Sequence, residues 1–145
     1  MNPRLLPLFA LIAACTMFFT SAKAQCPNNN TLGGDLTPLT TGNTQQTNSA
    51  LAGQYFTVQV CNGTNYTFTT CGDNDFDTQL TLYAATGGTA LAYNDDGGCG
   101  VQSLINWTAN FTGTVWILLD QYFCTNVSGA GMTLRVTQNT ACSDF

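Results

Sequence analysis

The sequence contains no histidine and no glutamate, and its basic residues are Arg4, Lys23 and Arg135 alone. With lysine confined to position 23, the usual general bases are missing, and acid–base catalysis has no tunable partner. Asp95 and Asp96 do not supply one, because neighbours in a loop splay apart. Asp77-Thr78-Gln79 is not the Asp-Thr-Gly of aspartic proteases. An enzyme is therefore not expected. So few cations cannot neutralise a run of phosphates, which argues against nucleic acid as a partner, and anionic lipid is disfavoured for the same reason. Cys-x-x-Cys is absent, so without histidine a zinc site is not expected. After the first two dozen residues there is no helical periodicity and no apolar run long enough to span a bilayer.

What is present begins with a targeting pattern. Arg4 precedes an apolar stretch from Leu5 to Phe19, and Ala22-Lys23-Ala24 has the small-x-small form of a cleavage site. Residues 1–24 read as a signal peptide, with a mature chain starting at Gln25 and a secreted, extracellular location. The whole chain carries 3 basic and 8 acidic residues, a net charge of −5, and loss of Arg4 and Lys23 takes it to −7. Cations are then the natural small partners. About 120 residues remain, the size of one ordinary domain. Beyond Cys15, six cysteines remain, and an even number in an exported chain reads as three disulfides.

Residues 25–54 are rich in Asn, Thr, Gly and Pro and read as a loop-rich N-terminal arm of the same domain, with one short strand near Leu36 to Leu39. The β-domain proper is expected over 55–145. From Tyr55 the pattern has period two: Phe56, Val58 and Val60 alternate with Thr57 and Gln59, and Tyr66 and Phe68 with Thr67 and Thr69. Asn62-Gly63-Thr64 between them suggests a hairpin. A second hairpin is expected from Leu80 and Leu82 through Thr86-Gly87-Gly88 to Leu91–Tyr93. Val101, Ser103, Ile105 and Trp107 share one face of a further strand. Val115-Trp116-Ile117-Leu118-Leu119 is apolar on both parities, as a central strand covered on both faces would be. Met132, Leu134 and Val136 alternate with polar residues. Seven or eight short strands at roughly ten-residue spacing indicate an all-β sandwich or barrel.

Six cysteines allow 15 connectivities, and sequence does not choose among them. Cys71–Cys99 is expected because each sits where a strand meets an acidic loop. Cys26–Cys142 would tie the termini, leaving Cys61–Cys124 by exclusion. Five of the carboxylates flank the first of these pairs. Asp73, Asp75 and Asp77 are spaced by two, which in extended chain places them on one face, and Asp95 and Asp96 with Asn94 lie in the facing loop. Clustered carboxylates repel unless a cation sits between them. Ca²⁺, which takes six to eight oxygens, is the expected cofactor. The cluster is not an EF-hand: counting from Asp73, the sixth position is Thr78 and the twelfth Ala84. Asp residues that merely cap turns are the simpler alternative.

The run FDTQLTLYAATGGTALAYNDDGG, followed by SLINWTANFTGTVWILLD, resembles the bacterial pre-peptidase C-terminal domain family. The shared features are an Asp before a Leu-x-Leu-Tyr strand, a Gly turn, an Asn-Asp-Asp loop and a Gly-Thr-Val-aromatic strand, spread over residues 53–137. The resemblance implies a single antiparallel jelly-roll-like β-sandwich, here stapled by disulfides, with an accessory rather than catalytic role. It implies Asp75, Asp77, Asn94, Asp95 and Asp96 as metal-side residues, and some members bind Ca²⁺, collagen or polysaccharide. This chain departs from the family in standing without a peptidase and in its disulfides.

Asn-x-Ser/Thr occurs at Asn29, Asn62, Asn65, Asn106, Asn110 and Asn126. In a eukaryotic secretory pathway these are glycosylation acceptors; in an Asn/Thr-rich chain they also arise by chance. Tyr83, Tyr93, Trp116 and Tyr122 are candidate contacts for sugar rings or protein, with packing as the simpler account of each. The function expected is a secreted, non-catalytic binding or adhesion module contacting extracellular polysaccharide or protein. The alternative is a self-associating structural subunit of an extracellular filament or other assembly.

Overall fold

The computed structural model of the protein describes residues 26–37, 39–72, 76–125 and 131–143. The expected signal peptide lies outside them. Nine strands form among the described residues: β1 (Thr31–Asp35), β2 (Thr44–Ala50), β3 (Gln54–Val60), β4 (Asn65–Thr69), β5 (Thr78–Ala84), β6 (Ala92–Asn94), β7 (Leu104–Thr108), β8 (Gly113–Gln121) and β9 (Met132–Gln138). They make two sheets, one in the order β1-β3-β8-β5-β6 and one in the order β2-β9-β4-β7. β8 is the middle strand of the larger sheet, as its doubly apolar pattern requires. Val115, Ile117 and Leu119 enter the core, and Leu118 on the opposite parity is equally buried.

The core is the space between the sheets. Phe56, Val58, Val60, Leu80 and Leu82 face it from one side, and Tyr66, Phe68, Ile105, Met132, Leu134 and Val136 from the other. This two-layer packing of alternating strands is a β-sandwich. From β3 to β9 the chain crosses between the sheets at every connection except β5 to β6, the jelly-roll-like habit. Among the described residues, no helix is long and apolar enough to cross a membrane.

Four expectations are corrected. First, β3 and β4 are not a hairpin: β3 pairs with β1 and β8, and β4 with β7 and β9. The Asn62-Gly63 turn carries the chain from one sheet to the other, where the two strands face each other across the core. Second, the N-terminal arm is not loop-rich with one strand near Leu36. It holds β1 and β2, which extend the two sheets. Third, β1 runs parallel to β3, an exception to the antiparallel pattern. Asp35 ends β1, its Oδ1 accepting hydrogen bonds from Thr37 N (3.1 Å) and Thr57 Oγ1 (2.9 Å). Burial pushes this carboxyl up slightly, but those bonds outweigh it and hold the pKa below the ordinary aspartate value.

Fourth, the disulfides are Cys26–Cys124, Cys61–Cys142 and Cys71–Cys99, with Cα–Cα distances of 5.4, 5.6 and 5.8 Å. Only the last was expected. Cys26–Cys142 and Cys61–Cys124 do not form, because the chain's two ends reach opposite ends of the sandwich. Cys26 lies where β8 terminates. Cys142 follows β9 to the turn after β3, where Cys61 N also donates to Tyr66 Oη (2.9 Å).

Candidate functional site

The Cys71–Cys99 bridge draws together the loop before β5 and the loop between β6 and β7. Ser103 knits them. Its backbone N donates to Thr78 Oγ1 (2.9 Å) and Thr70 Oγ1 (3.1 Å), and its hydroxyl lies 2.7 Å from Thr78 O and 3.0 Å from Asn94 O. Asn94 Oδ1 accepts from Leu104 N at 2.9 Å, so this side chain works as a strut between strands. Gly97 runs so close to β7 that a Cβ there would collide with Leu104 N. In this frame one carboxylate oxygen each of Asp77, Asp95 and Asp96 lies within 4.8 Å of the other two. Asp95 and Asp96 thus converge instead of splaying apart, because the loop folds back under the Gly97 N to Gln102 O bond (2.8 Å). Asp73 and Asp75 lie outside the described residues. Arg135, from β9, reaches the same corner and donates to Cys71 O at 2.7 Å.

The aromatic candidates collect elsewhere, on the outer face of the five-stranded sheet. Core placement of Phe56, Val58 and Val60 turns Tyr55 outward, and the same parity rule turns Tyr83 and Trp116 outward. Tyr83 pairs directly with Trp116, and Tyr93 sits opposite Thr81 one rank away. Tyr55, which sequence reading passed over as the mere start of a strand, is 5.0 Å from Trp116 between ring centroids. Its position opposite Phe56 in the alternation was the available signal. Tyr83 is buried and presents little surface, whereas Tyr55, Tyr93 and Trp116 are half-buried. Tyr122 stands apart, in the short 3-10 turn after β8, against the exposed Phe123 at 4.0 Å.

Asp120, also missed from sequence, ends the same outward row of β8. It is only 6% exposed. Oδ1 accepts from Asn30 Nδ2 at 3.0 Å, and Oδ2 is buried without a hydrogen-bond partner. Burial pushes the carboxyl up to about 6, with the Asn30 bond opposing. A lone aspartate closing an apolar run carries no sequence signal of this.

The outer face of the four-stranded sheet carries Arg135 and, beside it, a ladder of uncharged polar side chains. Thr44 meets Thr137 (2.7 Å), Thr67 meets Asn106 (2.7 Å), and Asn139 Nδ2 donates to Asn65 Oδ1 (2.7 Å) and Thr67 Oγ1 (2.9 Å). Of the sequon asparagines, Asn29, Asn62, Asn106 and Asn110 are exposed and Asn65 is half-buried, while Asn126 lies outside the described residues.

A family model described as "Domain of unknown function (DUF8695)" matches residues 45–142. Its description differs from that of the pre-peptidase C-terminal domains whose motifs the sequence resembles. No curated protein matches the sequence. Among solved structures, the chain is similar to the pre-peptidase C-terminal domain of a collagenase from Bacillus anthracis, with a TM-score of 0.47 and 14% identity, covering 79% of this chain and 98% of that one.

Proposed function

We propose, for a chain that belongs to the DUF8695 family, a non-catalytic role outside the cell: a binding module that contacts polysaccharide or protein through the outer face of its five-stranded sheet. The observation that carries this reading is the gathering of Tyr55, Trp116, Tyr83 and Tyr93 on one face. The half-buried rings of Tyr55, Trp116 and Tyr93 present partial faces that can stack on sugar rings or receive apolar side chains, while the buried Tyr83 backs them. Three disulfides suit an oxidising, extracellular setting. The test is retention of the oxidised protein on immobilised polysaccharides and fibrous proteins, compared with Trp116→Ala. Retention that the substitution abolishes supports the reading; elution in the void from every matrix sinks it.

The acidic corner, in this reading, holds Ca²⁺ as a structural ion. Oxygens bound to Ca²⁺ at about 2.3–2.6 Å lie at most about 5 Å apart across the ion. The carboxylates of Asp77, Asp95 and Asp96 fit inside that span at 4.8 Å. Backbone carbonyls of the two loops and water would complete the shell. The ion would offset repulsion among three anions and lock the loops that Ser103 already joins. Titration calorimetry decides it: heat on adding Ca²⁺ that disappears in Asp95→Asn supports the site, and a flat wild-type titration rules it out.

A second reading, self-assembly, is favoured by β2. This edge strand, Thr-Gln-Gln-Thr-Asn-Ser-Ala, has seven residues with neither charge nor proline to block strand addition. Light scattering on the purified protein separates the readings, since a monomer at all concentrations excludes assembly.

A further inference from the structure

The two ends of the sandwich differ in charge and in shape. β8, nine residues and about 30 Å long, runs from one to the other. At its C-terminal end stand Asp77, Asp95 and Asp96, and Tyr122 N donates to Asp77 O at 3.0 Å. The chain then turns through Phe123 (φ 65°) and Cys124 (φ 57°), two successive residues with side chains in the left-handed region that favours glycine. The Cys26–Cys124 bridge anchors this turn. It displays a knob. Phe123, 77% exposed, is the most exposed large apolar side chain among the described residues, and the ring of Tyr122 supports it at 4.0 Å between centroids. Backbone strain persists only where the surroundings hold it, and it clusters at functional sites.

At the other end, beside Thr112 just before β8, lies a cavity of about 640 Å³, large enough to take an aromatic side chain. The half-buried Leu39, the exposed Ala141 and the Cys61–Cys142 bridge give it an apolar wall, and the buried Val60 and Tyr66 lie behind them. No charged residue lines it. Asp35, two residues before Thr37 on the rim, is engaged by Thr37 N and Thr57 Oγ1. Residues 121–125 of the knob carry no charge either. An aromatic anchor in an apolar pocket is the usual centre of an interface. Charge selects the partner. In a chain of net charge −5, two acidic ends brought face to face repel, whereas the acidic end of one copy meets no charge at the opposite end of another. An aromatic side chain buries about 150–250 Å². Two of them fall short of the roughly 800 Å² per partner of a stable complex, so the contact is weak and grows with concentration.

We propose that the protein associates head to tail, the Tyr122–Phe123 knob of one copy entering the Cys61–Cys142 end cavity of the next. Knob and cavity lie at opposite ends of the sandwich, so the contact is heterologous and continues as an open chain of domains. The partner is a second copy, as in the self-assembly reading, but the contact lies at the ends and not along the β2 edge.

The experiment is sedimentation equilibrium of the intact, disulfide-bonded protein from about 10 μM to about 1 mM, the range of weak contacts. Two variants accompany it, each first checked for an unreduced Tm. Phe123→Asn removes the knob and keeps the cavity, and asparagine suits the left-handed backbone. Ala141→Trp fills the cavity and keeps the knob. The expected result is a wild-type mass that grows past the dimer with concentration. Each variant alone should associate about tenfold more weakly or less. An equimolar mixture of the two should restore one contact and stop at a heterodimer. Association that survives both substitutions, or a mixture that associates no better than its components, overturns the proposal. A wild-type dimer that grows no further and persists in Phe123→Asn means that the uncharged ends meet each other, and also overturns it. If Gln46→Glu abolishes association and Phe123→Asn does not, assembly runs through β2 and this contact falls alone. A wild-type monomer at every concentration overturns this contact together with the self-assembly reading, and leaves the binding module standing.

Discussion

Asp120→Asn should make the protein more stable at pH 7.5 and leave it unchanged at pH 3.5. The folded-state pKa is about 6 against 3.8 for the free side chain. The native state therefore holds this proton more tightly than the unfolded chain does. Below about pH 3.8 both states carry it and the group has no effect on stability. As pH rises toward 6, the unfolded chain releases its proton first and wild-type stability falls; above 6 the penalty is complete. A gap of roughly two pK units corresponds to about 3 kcal/mol. The side chain borders an open cavity, so screening reduces this to about 1–2 kcal/mol. Asparagine mimics the protonated acid at every pH and keeps the Oδ1 acceptor for Asn30. In a domain of this size that gain is worth roughly 4–8 °C in Tm. Scanning calorimetry on both proteins at pH 3.5 and 7.5, disulfides intact, measures it. Carbon-13 titration of the aspartate carboxyls gives the pKa directly. A variant melting below wild type at pH 7.5, or a Tm difference independent of pH, would refute the reasoning, as would titration of Asp120 below 4.5.

Three further outcomes follow from the geometry. Gly97→Ala should cost about 1–3 kcal/mol and loosen the acidic corner, because its Cβ would meet Leu104 N and Ser103 C; urea unfolding with and without Ca²⁺ checks both effects. Paired Cys→Ser replacements should rank by the loop each bridge closes. Removing Cys26–Cys124 (separation 98) or Cys61–Cys142 (81) costs about 4–5 kcal/mol, and removing Cys71–Cys99 (28) about 3.5 kcal/mol, readable by denaturant melts. Gln46→Glu places a charge on the β2 edge, opposite Arg135; if assembly occurs through that edge, light scattering should show it reduced, with Tm not lowered by more than about 1 °C.

The parts of the fold that were readable came from alternation, and the parts misread show its limit. A strand apolar on both parities has one explanation, and β8 occupies the centre of its sheet accordingly. The alternation in β3 and β4 has two. Strands paired side by side and strands facing each other across a sandwich both direct alternate residues at one core, so Phe56 and Phe68 fit either arrangement. The Asn62-Gly63 turn does not distinguish them. β1 and β2 were invisible because, apart from Leu32 and Ala50, their residues are polar or glycine on both faces, and what makes them strands is pairing with β3 and β9. Of the carboxylates singled out by their clustering in the sequence, Asp77, Asp95 and Asp96 come together, while Asp73 and Asp75 lie outside the described residues. Asp120 could not be singled out, because what sets it apart is burial and the missing donor at Oδ2, both products of the tertiary fold.

The placement of the two long-range disulfides also decides how the molecule would behave under tension. A pull applied between Cys26 and Cys142 does not run through the whole chain, since Cys26 is bonded to Cys124 and Cys142 to Cys61. The shortest covalent route passes from Cys26 across to Cys124 and along the segment to Cys142, which contains β9. Once taut, that route has a contour of only ~60 Å at 3.3–3.6 Å per residue. β5, β6, β7 and β8 would lie off the load path, shielded from it. The oxidised domain is thus a short, nearly inextensible link. Reduction would convert it into a long elastic one, and single-molecule force spectroscopy with and without reductant would read the difference as a several-fold change in extension.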